Sequence, residues 1–171
     1  HSLGDGFYAE FDSLRQLSDE QIALLKSRMH DIVSHKLPIT RHKRPTEEVI
    51  AQYEEYGFDD RVELLKTRPQ LYSTVNYLGS MPGYFYGPLA PDSSYVDRFD
   101  VVRYYNGLYV ALPERANPER VDANIRLDKM FEIFHEYQQW IGIMGVPTVG
   151  DLNRRILDGD ASELIKIAEA F

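Results

Sequence analysis

Cysteine is missing from this chain, which excludes disulfides, thiolate metal sites and a cysteine nucleophile together. Its absence suits a reducing compartment. No stretch approaches the roughly 18 consecutive apolar residues of a membrane helix, and the N-terminus lacks a basic-then-apolar signal pattern. The chain is therefore read as soluble, intracellular and cytoplasmic. Three catalytic strings are also missing. Without Gly-x-x-x-x-Gly-Lys-Ser/Thr the polypeptide has no P-loop to cradle phosphates. Without Gly-x-Gly-x-x-Gly it has no dinucleotide fingerprint, and the Gly-x-Gly of Leu3-Gly4-Asp5-Gly6 is too common a string to stand for one. No Gly-x-Ser-x-Gly marks a nucleophile elbow.

What is present suffices for one domain, or for one domain with a helical appendage: 171 residues, 43% of them hydrophobic. Twelve tyrosines against one tryptophan imply a core whose edges carry hydroxyls in need of partners. The net charge of −8 is unevenly spread. Residues 1–45 carry seven basic and six acidic side chains, whereas 46–113 carry five and ten and 114–171 seven and eleven. Such a chain makes a poor general nucleic-acid binder, because phosphate neutralisation supplies most non-specific affinity. The basic residues of Lys36-Leu37-Pro38-Ile39-Thr40-Arg41-His42-Lys43-Arg44 could still hold a phosphate, or could simply charge a solvated strand edge.

Periodicity places the elements. Phe7, Ala9 and Phe11 alternate as in a strand. Ser18-Asp19-Glu20-Gln21 forms a capping box for a helix with Ile22, Leu25, Met29 and Ile32 on one face, running to about His35 and ended by Pro38. A strand is expected over Ile39 to Lys43, then a helix capped by Thr46 and stopped by Gly57, then another from Asp59 or Asp60 through Leu65. Leu71 to Leu78 reads as a strand. Phe99 to Leu112 reads as a hairpin with Asn106-Gly107 supplying both positive-φ turn positions. Charged, proline-containing 114–127 reads as a linker. Helices follow from Asp128 to Gly142 and at Thr148-Val149-Gly150-Asp151 and Asp160-Ala161-Ser162-Glu163. Helices and hairpins without βαβ alternation indicate α+β with an antiparallel sheet.

Few side chains are grouped for chemistry. His1, His30, His35, His42 and His135 are scattered. The spacing of His30 and His35 turns them about 140° apart on a helix, so surface histidines are expected. The carboxylate pairs Glu47-Glu48, Glu54-Glu55 and Asp59-Asp60 lie on helices or at their starts and share solvent, whereas acid–base work needs unequal environments. The aromatic group Tyr84, Phe85, Tyr86, Tyr95, Tyr104 and Tyr105 could stack a base, or could fill volume.

Two motif sets then carry a resemblance. His1-Ser2-Leu3-Gly4-Asp5-Gly6-Phe7-Tyr8, Arg28-Met29-His30, the helices over Tyr53 to Leu65, and Tyr84-Phe85-Tyr86-Gly87-Pro88-Leu89-Ala90-Pro91 resemble the second additional (editing) domain of threonyl-tRNA synthetases. Where that family carries Asp-x-Cys-x-x-x-His at its hydrolytic site, this chain has Gly83, Phe85 and Leu89, and Arg61 stands where lysine is common. Neither Phe85 nor Leu89 can bind a metal, shuttle a proton or attack a carbonyl. Second, Tyr86 to Pro91, Val102-Arg103-Tyr104-Tyr105, Lys129 to Phe134 and Val149-Gly150-Asp151-Leu152-Asn153 look like uridine-kinase-related proteins. Those carry the synthetase-like region ahead of a P-loop domain. Pro-Asp-Ser-Ser-Tyr at 91–95 replaces that family's Pro-Ser-Thr-Gly-Tyr, which predicts an altered turn.

The resemblance implies a synthetase-editing-like domain over 1–113, the linker over 114–127, and a helical segment over 128–171 leading toward a kinase domain that this sequence does not contain. On that reading the chain is a non-catalytic accessory or substrate-positioning region of an ATP-dependent nucleoside (uridine) kinase. It holds no cofactor itself, and ATP and Mg²⁺ belong to the parent's kinase domain. Binding is expected at Arg61, Tyr86, Gly87, Pro88, Ser93, Ser94, Arg103 and Tyr105, with no metal site and no catalytic residue. Expected partners are the chain's own kinase domain, a nucleoside or a second copy, but neither nucleic acid nor membrane. The alternatives are a degenerate editing-type domain that binds or deacylates aminoacyl-tRNA, and an interaction module presenting Met130, Phe131, Phe134 and Tyr137.

Overall fold

A computed structural model describes residues 2–11, 17–124 and 127–170, so His1 and positions 125–126 of the expected linker lie outside the described residues. The chain divides into two compact units, His1–Ile39 with Leu89–Glu132 and Thr40–Pro88 with Ile133–Phe171.

The first unit contains β1 (Ser2–Leu3), β2 (Gly6–Ala9), α1 (Asp19–Ser34), β6 (Asp100–Tyr104), β7 (Gly107–Ala111) and a short hairpin of β8 (Pro113–Glu114) and β9 (Asn117–Val121). The main sheet is antiparallel in the order β1-β2-β7-β6, with β7 bonded on both sides. Strand alternation gives each face of β7 its own core. Leu108 and Val110 meet Val101, Phe99 and Ile22 on the α1 side; Tyr109 and Ala111 meet Leu3, Tyr8 and Phe131 on the other. Ser18 caps α1 by accepting from the Gln21 amide, and Gln21 reaches back to the Ser18 amide, so the expected box is present. The helix stops before Pro38 is reached: its C-cap is His35, and Lys36 turns the chain at φ +50°.

The hairpin is displaced by one residue from the sequence expectation. Tyr104 pairs with Gly107, so the turn residues are Tyr105 and Asn106, and Tyr105 rather than glycine sits at φ +48°. A non-glycine residue in that region costs about 1–3 kcal/mol. Gly107 is required for a different reason. A Cβ there would collide with the Ala9 carbonyl oxygen and the Tyr8 ring. Positions 113–121, expected as linker, form the β8–β9 hairpin, an arrangement without the apolar alternation that reveals half-buried strands.

The second unit holds β3 (Ile39–Pro45), α2 (Thr46–Glu55), α3 (Asp59–Lys66), β4 (Tyr72–Leu78), β5 (Met81–Gly83), the last turns of α4 (Asp128–Met144), α5 (Val149–Leu157) and α6 (Ala161–Ala170). Its sheet runs β3-β4-β5. Val49 and Tyr53 of α2 and Val62 and Leu65 of α3 close over Val75, and three of these side chains are fully buried. Each such burial contributes about 1.5–3 kcal/mol. Thr46 does not cap α2. Pro45 precedes the helix without a side-chain bond, while the Thr46 hydroxyl donates to the Gln70 carbonyl (2.6 Å) and accepts from the Ser73 hydroxyl (2.9 Å), tying α2 to the start of β4. Thr148 and Asp151 form the capping box of α5, and Gly150 lets that helix approach the α3 backbone at Leu64.

Two outcomes follow. Replacing Gly107 with alanine should destabilise the fold by about 1–3 kcal/mol in urea unfolding, since the opposing atom is backbone and cannot swing away. Burial pushes the Tyr8 and Tyr53 phenols up to about 12, whereas unfolded tyrosine ionises near about 10. Their contribution to stability is complete below about pH 10 and is lost as the pH rises toward 12, because only the unfolded chain gives up the protons there. Urea titrations at pH 8 and pH 11 should show the fall. Tyr53→Phe should reduce it while costing less than about 1 kcal/mol at pH 8, because the buried Tyr53 hydroxyl has no hydrogen-bond partner among the described residues.

Candidate functional site

In the second unit the site is a consequence of strand parity. His42 meets the Tyr77 ring edge-on (5.6 Å between centroids), and Arg44 donates to the Tyr77 hydroxyl (3.4 Å), which itself donates to Gln52 of α2 (2.6 Å). These side chains share the helix-covered face of the sheet. Alternation sends Arg41 and Lys43 to the opposite face. Lys43 Nζ lies 5.3 Å from the Tyr72 ring centroid, and Tyr72, Thr74 and Asn76 share that face.

The same face continues onto β5. Asn76 is paired with Gly83, and a Cβ built on Gly83 would run into the Phe85 ring. Phe85 thus leans over the Asn76 side of the sheet, and its ring is 54% exposed. It does not fill a buried volume. Asn76 is 3% exposed, and its Nδ2 has no hydrogen-bond partner among the described residues. Arg41, Lys43, Tyr72 and Phe85 are all open to solvent. The result is a sheet face with two cations, two exposed rings and one buried amide.

The neighbouring tyrosines turn the other way. Tyr84 packs on the cluster around Tyr53, takes a short hydrogen bond from Arg68 and donates to Tyr86 (3.4 Å). Burial, followed by the hydrogen bond with Tyr86, raises the Tyr84 pKa against the opposing pull of Arg68. At neutral pH the phenol is protonated and is no base. Arg61 lies on the Phe58 ring (4.2 Å) and 6.0 Å from that of Tyr53, with no ion pair among the described residues. Tyr86 is 79% exposed, and Gly87 (φ +82°) and Pro88 continue as an open loop.

The first unit holds the other expected residues. Ser93 is a structural rivet: its hydroxyl donates to Ile32 O (2.7 Å) and accepts from Leu37 N (2.9 Å). Ser94 donates to Asp92 through its amide (2.8 Å) and its hydroxyl (2.5 Å) in a tight 3₁₀ turn, Ser93–Tyr95, which needs no positive φ and hence no glycine. Arg103 pairs with Asp19 at 2.6 Å. Arg103 and Tyr105 line one cleft with Tyr104, Asn124 and Asp128; the two serines are not part of its wall. Burial first, and then the Asp128 hydrogen bond and charge, raise the Tyr105 pKa.

The described histidines are all exposed, as expected for surface residues, and no group of three metal-ligating side chains forms among the described residues. Of the carboxylate pairs, Glu48 and Glu54 are engaged by Arg44 and Lys66, and the rest lie in solvent or at its margin. Leu89 is 40% exposed. Position 85 accordingly offers an apolar ring and position 89 an apolar side chain, with no acid, base or nucleophile. Sequence reasoning singled out the basic run but missed Tyr72, Asn76, Asn124 and Asp128. The parity of Arg41 and Lys43 against His42 and Arg44 was the available signal.

No family model matches the chain. The chain is similar to threonine–tRNA ligases. That of Methylococcus capsulatus is 28% identical over 106 residues, 59% of this chain and 16% of the relative. That of Carboxydothermus hydrogenoformans is 31% identical over 102 residues, with the same shares of 59% and 16%. That of Acidithiobacillus ferrooxidans is 32% identical over 68 residues, 40% of this chain and 11% of the relative. The matched stretch thus spans about 16% of the length of the first two relatives. No described helix is long and apolar enough to cross a membrane. These relatives carry nothing on the expected link to uridine-kinase-related proteins, or on ATP, Mg²⁺ or a nucleoside. The resemblance to threonyl-tRNA synthetases is borne out over part of the chain, and the α+β architecture with antiparallel sheets and a helical C-terminal segment is the one that resemblance implied.

Proposed function

We propose that this chain is an editing-type domain that has lost hydrolysis and kept binding, and that the open face of its β3-β4-β5 sheet holds the single-stranded end of a tRNA. The observation that carries the reading is the convergence of Arg41, Lys43, Tyr72 and Phe85 on one sheet face in a chain similar to threonine–tRNA ligases. Single strands are held by cations that track the backbone and rings that stack bases. Lys43 and Arg41 form no ion pair among the described residues, so a phosphate replaces water rather than a carboxylate. The contact of Lys43 with Tyr72 is worth only about 0.5–1 kcal/mol at an exposed site and yields readily.

Hydrolysis of an aminoacyl ester needs a water activated by a base or a metal. Phe85 and Leu89 provide neither, and burial and hydrogen bonding keep Tyr84 protonated. The expectation that nucleic acid would be excluded rested on the total charge of −8, which says little about a local face where the basic side chains are unpaired.

The test is tRNA binding and deacylation by the whole chain. Two or three phosphate contacts give a salt slope of about −2, so affinity should fall about 16-fold between 50 and 200 mM salt. Tyr72→Ala should weaken binding about 5- to 100-fold, as loss of one stacked base does, and joint replacement of Arg41 and Lys43 by alanine should flatten the salt slope. Aminoacylated tRNA should lose its ester at the background rate. Binding indifferent to salt and to these substitutions would sink the proposed face, and deacylation above background would sink the claim of lost chemistry.

A further inference from the structure

The C-terminal helices of the second unit bring little core of their own. Among the described residues of 133–169, only Gly150 is buried. A helix in a folded protein draws most of its stability from covering an apolar stripe. On α4 that stripe is open: Ile133 is 68% exposed, Tyr137 62% and Ile143 80%. Of the side chains expected to form an interaction face, Phe131 is buried in the core of the first unit, whereas Tyr137 faces solvent.

The open residues of α4 are ordered. Ile133, Tyr137, Trp140 and Met144 succeed one another at spacings of four, three and four, the repeat of a helix that packs along another helix. At about 100° per residue, Ile141 and Ile143 flank this stripe. Between Ile133 and Met144, Glu136 is the one charged side chain on that half of the helix. A groove of about 360 Å³ runs beside the stripe, walled by Tyr137, Trp140 and Met144 of α4 and by Ile167 and Ala168 of α6. A strongly charged partner would find almost nothing here to pair with. An apolar helix of the same spacing would find both a seam and a groove.

We propose that this face joins two copies of the chain, α4 against α4 about a two-fold axis. The stripe calls for a second apolar stripe of equal spacing, and a second copy carries one. An axis at the middle of the stripe sets the helices antiparallel, which opposes their dipoles. Ile133 then meets Met144 of the second copy, and Tyr137 meets its Trp140. The area suffices. At about 200 Å² for a whole large side chain, the exposed fractions of Ile133, Tyr137, Trp140, Ile143 and Ile167 leave about 600 Å² per copy. A pair then buries about 1,200 Å², the lower end of stable interfaces. The face uses none of the residues of the tRNA reading, and either can fail without the other.

The experiment is sedimentation equilibrium of the whole chain, which should pass from one chain mass to two in the micromolar range and stop there. Ile133→Glu and Tyr137→Glu should each weaken the pair at least tenfold. Both positions are open in the single chain, so the circular dichroism of the dilute variants should match that of the parent. Leu24→Glu, at an exposed leucine of α1, should leave the pairing unchanged. Because the chain has no cysteine, Ile133→Cys and Met144→Cys report the geometry directly. On oxidation their mixture should cross-link several times more than either variant alone. Any one of five results would overturn the proposal: a single chain mass throughout, a mass that grows past two, pairing unmoved by the α4 variants, equal loss with Leu24→Glu, or cross-linking strongest within one variant.

Discussion

Tyr77 is the contact on which the second sheet depends. Its ring receives His42 edge-on, and its hydroxyl takes a hydrogen bond from Arg44 and gives one to Gln52. That arrangement pins β3 to α2 through His42 and Arg44, and a strand has only two faces. Once these two residues are committed, Arg41 and Lys43 have no place except the opposite face, beside Tyr72 and Asn76. A slip of one residue in β3 would exchange the sets and cost His42 and Arg44 their contacts with Tyr77.

The same parity explains how the chain separates scaffold from chemistry. Gly83 and Phe85 occupy the face that carries Asn76, whereas Tyr84 belongs to the helix-covered core and is held by Arg68. Changing residues 83, 85 and 89 therefore alters what the open face and its loop can do without touching Val75, Tyr53 or Leu65. The resemblance to editing domains implies aspartate, cysteine and histidine at those three positions. Glycine, phenylalanine and leucine place no acid, base or nucleophile at those positions. On the same face the buried Nδ2 of Asn76 has no hydrogen-bond partner among the described residues.

Much of the architecture was legible because its signals are local. Ser18 with Gln21 and Thr148 with Asp151 announce helix starts, and each box forms as read. The errors share one cause, tertiary geometry overriding a local rule. Asn106-Gly107 reads as a turn, yet Gly107 is claimed by the narrow gap against Ala9, which pushes the turn back onto Tyr105. Thr46 reads as a cap, yet its hydroxyl is taken by Gln70 and Ser73, partners about 25 residues away that no local pattern reveals. Ser93 and Ser94 read as binding groups, yet one rivets the end of α1 and the other closes a turn. The candidate sites were legible only as a basic run and an aromatic cluster, because which residues of each run face together is set by pairing rather than by composition.

The acidic total and the proposed phosphate-binding face are compatible because charge acts over short distances. At about 0.15 M salt the screening length is about 8 Å, so a ligand on β3 senses Arg41, Lys43 and their immediate neighbours far more than the whole chain. Glu48, the carboxylate four residues beyond Arg44, is already engaged by that arginine on the helix side and does not compensate Lys43. In the first unit Asp19 already engages Arg103. Whether a cation can meet a ligand is thus set by its nearest partner, which the net charge of the chain does not reveal.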